Sequence, residues 1–341
     1  MSTSSTSPVR TTSGTRADPP AGGVVVGYEG TWHSTPALGR AATEATERGL
    51  PLTLLTVLAT GDDPRLSDEA RRAAATDRWG AASTDAAAGV DAMRRRFPGL
   101  SATAELVLDT DTARLRLVLQ HARLLVVGTA GREGPKAFLM GSTSRELAKA
   151  VTCPVLVVPE SAPRRNPGRT AGAPDSDVVT GSVVVGLWHG AEAVGLLRLA
   201  AGEAARRAVR LCVVHAYPFG QTPGQAQTDV ELLLDQAALD HAVPVTTIVT
   251  PDAPAEALLG YADHAGLLIV GTRGPLAMAR LALGSVSRAV LDDADVPVLL
   301  VPDAVSLAAA DDAMLARSAP AGETVVHELD PGQGPGARSH P

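Results

Sequence analysis

The stretch GTAGREGPKAFLMGSTS, residues 128–144, follows the apolar run Leu124–Val127 and closes on three hydroxyl residues, Ser142, Thr143 and Ser144. A second stretch, GTRGPLAMARLALGSVS at 271–287, follows Leu267–Val270 with the same spacing. Gly128, Gly131, Gly141, Ser142, Ser144, Arg145, Pro154 and Pro159 recur as Gly271, Gly274, Gly284, Ser285, Ser287, Arg288, Pro297 and Pro302, always 143 residues later. The earlier run VVVG at 24–27 recurs at 183–186, an offset of 159. The first copy therefore holds 16 extra residues between its first strand and its glycine loop, placed in the polar, Ala-rich helical stretch around 65–97.

Working outward, each copy alternates strand-like and helix-like segments. In the first copy, strands are read at 23–27, 52–58, 102–108, 123–127 and 154–158. Helices are read at 34–48, at 65–97 as one helix or a pair, at 112–121 and from 142 to about 150. In the second, strands are read at 182–186, 209–216, 245–249, 267–270 and 297–301, and helices at 194–207, 229–241, 255–264 and 285–292. Ser34 is a good N-cap, with Pro36 in the first turn. Continuous apolar strands between helices imply a parallel sheet covered on both faces. The expected fold class is therefore α/β: two tandem open parallel-sheet domains with helices on both faces. The domains are set at 23–160 and 182–303. Residues 1–22, rich in Ser, Thr and Pro, read as a disordered tail. Residues 161–181 read as a linker, and 304–341 as a short helix and a disordered tail.

The chain has 341 residues, enough for two domains, and 45% of them are hydrophobic but only 3% aromatic, so the cores must be aliphatic. A net charge of -7 argues against a nucleic-acid surface. No run has the length of a membrane span, and the N-terminus lacks a secretory apolar segment, so a cytoplasmic protein is expected. Cys153 and Cys212 have no metal or redox spacing and read as buried thiols. No histidines are spaced as metal ligands.

Ligands of open α/β sheets settle beyond the carboxyl ends of the strands. Gly128 stands at such an end, where the missing Cβ admits another group close to the backbone. Gly131 lets the loop turn. Gly141 and Ser142 open a helix, whose free N–H groups and dipole favour phosphate, and Thr143 adds a hydroxyl donor. Thr143 and Glu146 equally fit a capping box that needs no ligand. Gly271, Gly274, Gly284 and Ser285 repeat the arrangement. Arg132 and Arg273 pair with phosphate or stand as solvated charges. His33 and His189 read as loop histidines and His215 as structural. Neither GxxxxGK[ST] nor GxGxxG is present.

The spacing Gly-x2-Gly-x9-Gly-Ser resembles the nucleotide motif of the universal stress protein family. The VVVG strands and the closing runs CPVLVVP (153–159) and VPVLLVP (296–302) extend the likeness to both copies. The resemblance implies five parallel strands per domain, in the HUP (adenine nucleotide alpha-hydrolase-like) fold, and a family with ATP-binding members and members that bind no nucleotide; Mg2+ carried by a bound ATP is compatible with the site. It implies that an Asp-Gly-Ser-x-x-Ser-like loop after the first strand contacts adenine and ribose. Here that loop reads Glu29-Gly30-Thr31-Trp32-His33-Ser34, so Tyr28 and Glu29 begin it, and Val57 falls where the family lines the adenine pocket. In the second copy Trp188 stands in the place of the acid, either filling the base pocket or stacking on a base. ATP binding is thus expected in the first domain, and weak or absent binding in the second. The domains are expected to pair through Val155–Val158 and Val298–Val301. A homodimer and a protein partner are compatible with this. No catalytic set is visible, so at most slow ATP hydrolysis is expected. The alternative is a scaffold protein of this fold that has lost its nucleotide.

Overall fold

The computed structural model describes residues 9–11, 22–30, 35–59, 67–129, 151, 153–159, 179–188, 192–239, 243–262, 264–272 and 284–302. In the first repeat, β2 (Val24–Gly27), α1 (Thr35–Glu47), β3 (Leu52–Leu58), α2 (Asp68–Arg96), β4 (Ala102–Leu108), α3 (Thr112–Gln120), β5 (Leu124–Gly128) and β6 (Val155–Val158) follow one another. The second continues with β7 (Val183–Leu187), α4 (Ala193–Arg207), β8 (Leu211–Ala216), α5 (Pro223–Ala237), β9 (Val245–Thr250), α6 (Pro254–Ala262), β10 (Leu267–Gly271), α7 (Ser285–Asp293) and β11 (Val298–Val301). A short strand, β1 (Val9–Thr11), precedes them.

All the strands join one sheet in the order β1-β4-β3-β2-β5-β6-β11-β10-β7-β8-β9. Pairing within each repeat is parallel, and the strands are apolar on both faces because helices cover both. Val24, Val26, Leu52 and Leu54 face α1 and α2, while Val25, Leu55, Leu125 and Val127 join the core under α3. Helix α1 buries Ala37, Leu38, Ala41, Ala42 and Ala45, a stripe of mostly small side chains that lets it lie close on the strands. The repeats join where β6 and β11 pair antiparallel, with Val157 opposite Val298 and Leu156 opposite Leu299.

A charged clasp spans the same seam. Glu44 and Arg48 at the end of α1 correspond to Glu203 and Arg207 at the end of α4, both at the 159-residue offset. Arg48 Nη2 lies 2.8 Å from Glu44 and 2.8 Å from Glu203, while Arg207 Nη2 lies 2.6 Å from Glu44 and Nη1 pairs with Glu203. Arg206 also pairs with Glu203, and Arg40 with Glu44. Both carboxylates are almost wholly buried, at 1% and 2% exposure, so only this density of guanidinium groups can keep them charged. Burial raises the Glu44 carboxyl pKa, but Arg207 and Arg48 outweigh it and hold it below its ordinary value. For Glu203 burial acts the same way, and Arg48, Arg206 and Arg207 bring it lower still.

Several elements differ from the sequence expectation. Helix α5 starts at Pro223, not near 229, because Thr222 caps it: Thr222 Oγ1 accepts from Gln225 N at 3.3 Å, and Gln225 Oε1 accepts from Thr222 N at 2.9 Å. It ends at Ala237, before the expected 241, with Ala238 in the left-handed region at φ 47°. The extra residues of the first repeat form one helix, α2, with 29 residues against 15 in α5. Within the segment expected to be an unordered tail, Val9–Thr11 pairs parallel with β4, whose outer edge otherwise presents unpaired backbone groups. Val179, at the end of the expected linker, is buried in the core. The helix expected from 142 to 150, Ser34, and the tail beyond 302 lie outside the described residues.

Candidate functional site

In each repeat the first strand lies between the second and the fourth, so the connections leave β2 and β5, and likewise β7 and β10, in opposite directions. This opens a crevice at the carboxyl ends of those strands. In the first repeat, Gly128 ends β5 and Tyr28 and Glu29 follow β2. Val57 is the penultimate residue of β3 and is 41% exposed. Gly131, Gly141, Ser142, Thr143, Arg132 and His33 lie outside the described residues, as do Gly274, Arg273 and His189 of the second repeat.

Local bonding fixes the rim of the first crevice. The Tyr28 N–H donates to the Leu55 carbonyl at 2.9 Å, and its own carbonyl accepts from Thr56 Oγ1 at 2.7 Å. The phenol ring lies over Gly89 of α2, where a Cβ would come 3.1 Å from it. Burial, and then the charge of Asp85, raise the Tyr28 hydroxyl pKa, so it stays protonated at neutral pH. Gly30 has φ +73°, and a Cβ there would meet the Asp85 carboxylate at 2.8 Å, so the turn out of β2 requires glycine. Glu29, beside it, is exposed.

The second crevice is described more fully. Gly271 ends β10, Gly284 is the N-cap of α7 and Ser285 its first residue. Ser287 Oγ donates to the Gly271 carbonyl at 2.8 Å, which ties the start of α7 to the strand end. The Thr272 N–H donates to Val301 at 2.8 Å, and Thr129 makes the matching bond to Val158 at 2.9 Å. Gly271, Gly284, Ser285 and Ser287 line one cavity of about 160 Å3 with Gly186, Trp188, Ala216 and Leu258. At the repeat offsets, Trp188 corresponds to Glu29, Leu187 to Tyr28, Ala216 to Val57 and Gly271 to Gly128. The sequence reading named Gly271, Gly284 and Ser285 of this lining, and Tyr28, Glu29, Val57 and Thr143 as site residues at the positions of Leu187, Trp188, Ala216 and Val286. It did not single out Gly186, Val214 and Val270 of the strands, or Pro254 and Leu258 of α6, residues that carry no site motif.

Trp188 lies against the end of β10. A Cβ on Gly271 would fall 2.1 Å from Trp188 Cη2, so the indole rests directly on the glycine. The close approach that this glycine permits is made by the protein's own ring. His215 is buried, and its Nδ1 lies 3.1 Å from the Leu187 carbonyl oxygen; a carbonyl only accepts, so Nδ1 carries the proton. Among the described residues no group of three or more His, Cys, Asp or Glu is placed to hold a metal, and no helix is long and apolar enough to cross a membrane.

Fold and crevices define a tandem α/β protein of the HUP type. The family model for the universal stress protein family matches residues 22–159 and again 181–302, and the chain belongs to that family. It is 31% identical over 302 residues to universal stress protein Rv2005c of Mycobacterium tuberculosis, covering 82% of this chain and 96% of that one. Universal stress protein Mb2028c of Mycobacterium bovis matches equally. Among solved structures, a universal stress protein from Archaeoglobus fulgidus superposes with a TM-score of 0.55 at 15% identity, over 83% of this chain and 97% of its own.

Proposed function

We propose that the first repeat, residues 23–160, binds an adenine nucleotide, ATP with Mg2+ on its phosphates, and that the chain acts in the cytoplasm as a nucleotide-dependent regulator or protectant under stress. Tyr28, Glu29 and Val57 meet base and ribose. Gly128, Gly131, Gly141, Ser142 and Thr143 hold the phosphates. The observation that carries this reading is the position of Gly128 at the end of β5, beside β2, whose own end leads into the exposed Glu29. A carboxylate at that rim suits ribose hydroxyls, and a helix start beyond the loop suits phosphate. Binding, not turnover, is the role.

The second repeat, 182–303, keeps Gly271, Gly274, Gly284 and Ser285 but binds nucleotide weakly or not at all. The indole of Trp188 on Gly271 supports this, and it is the one observation that favours a nucleotide-free scaffold role, confined to that half. The test is the nucleotide content of freshly purified protein, released by heat and resolved by anion exchange. Adenine nucleotide is expected. Protein that releases none, and takes up no MgATP after stripping, leaves the scaffold reading.

A further inference from the structure

The crevice of the second repeat is not simply a failed copy of the first. Its walls have changed chemistry in one direction. Tyr28, Glu29 and Thr143 are replaced at the corresponding positions by Leu187, Trp188 and Val286, and Asp111 by Pro254. Val57 is replaced by the smaller Ala216, which leaves room. Val214, Leu258 and Val270 complete an apolar lining. Of the two lining hydroxyls, Ser287 is committed to the Gly271 carbonyl, and Ser285 is exposed at the start of α7.

A nucleotide is poorly served by such walls. A ribose or adenine polar atom that loses water there without gaining a hydrogen bond weakens binding. The indole also occupies the surface of Gly271 that a ligand would need. What remains is about 160 Å3 beside an aromatic face. A sealed apolar cavity of roughly 150 Å3 takes up benzene, and this crevice, mostly apolar but open on one side at Ser285, offers a similar volume. A planar ring offset-stacked on an indole gains further contact.

We infer that the second crevice is a binding site for a small, single-ring apolar ligand, stacked on Trp188 and flanked by Ala216, Leu258 and Val270. The site stands on the second repeat's own walls, whether or not the first repeat binds nucleotide. It makes the chain a two-ligand protein, with a polar crevice in one half and an apolar one in the other.

Toluene is the probe, titrated into the full chain and followed by ligand-observed NMR, with Ala216→Leu to fill the cavity. One saturable site is expected in the wild type, weakened about tenfold or more by Ala216→Leu. MgATP added at saturation is expected to leave toluene bound. If Ala216→Leu fails to fold, Val286→Phe on the opposite wall serves the same purpose, with the thermal melt as the check on folding. Absence of saturable toluene binding overturns the inference, as does equal binding by the folded filled variant. Displacement of toluene by MgATP overturns it too, by making the crevice a nucleotide site. Failure of the first repeat to bind MgATP would leave the toluene result intact, so the two readings fail separately.

Discussion

Glu203→Gln tests whether the charged clasp holds the repeats together. Gln keeps the shape of the side chain and removes its charge. Glu203 serves Arg48 at 2.8 Å, Arg206 and Arg207, and it is 2% exposed. Removing one partner of a buried ion pair costs about 3–5 kcal/mol, because the other charges stay buried. Arg48 and Arg207 retain Glu44, at 2.8 and 2.6 Å, so the lower end of that range, about 3 kcal/mol, is expected. At roughly 2–4 °C per kcal/mol, this lowers Tm by about 6–12 °C in calorimetry. A double-mutant cycle of Arg48→Gln with Glu203→Gln isolates the contact across the seam and is expected to show coupling of about 1–3 kcal/mol. Coupling under about 0.5 kcal/mol would refute the reasoning that the Arg48–Glu203 contact holds the repeats together.

Acid should weaken the same seam. Glu44 and Glu203 both have folded-state pKa values below their ordinary 4.5, so their contribution is complete above that value and is lost as pH falls through the lowered ones. Chemical denaturation between pH 7 and pH 3 checks this, and Glu203→Gln should flatten the profile. A different pair, Glu105 and Arg114, is buried in the first repeat at 2.7 Å, where the second repeat has Ile248 and Ala257. Glu105→Ile alone should cost about 3–5 kcal/mol, while Glu105→Ile with Arg114→Ala should be near neutral in urea unfolding. Gly271→Ala should destabilise by about 1–3 kcal/mol, since its Cβ meets Trp188, and Trp188→Ala should relieve most of that loss in thermal melts.

The sheet was legible because its strands are short and rich in apolar residues: Leu52–Leu58 is apolar but for Thr53 and Thr56, Ala102–Leu108 alternates, and they form β3 and β4 with those bounds. The start of α5 was missed although Thr222-Pro223-Gly224-Gln225 spells out a cap, because the apolar spacing that marks a helix begins later. The clasp was not legible as such. Glu44 and Arg48, four apart on one helix, look like an exposed pair, and only their recurrence as Glu203 and Arg207 hints at more. At the site, glycine spacing located the strand ends and the cap of α7. It could not tell that Trp188 lies on Gly271, since filling and stacking place the same residue at the same position in the sequence.

The central claim is that one repeat, the first, is the nucleotide site. Isothermal titration of stripped protein with MgATP, wild type beside Gly141→Val and Gly284→Val, tests it most directly, since valine adds a branched side chain where phosphate must approach a helix start. The account predicts one site in the wild type, lost with Gly141→Val and kept with Gly284→Val. No binding by the stripped wild type, or binding lost with Gly284→Val and kept with Gly141→Val, would contradict it.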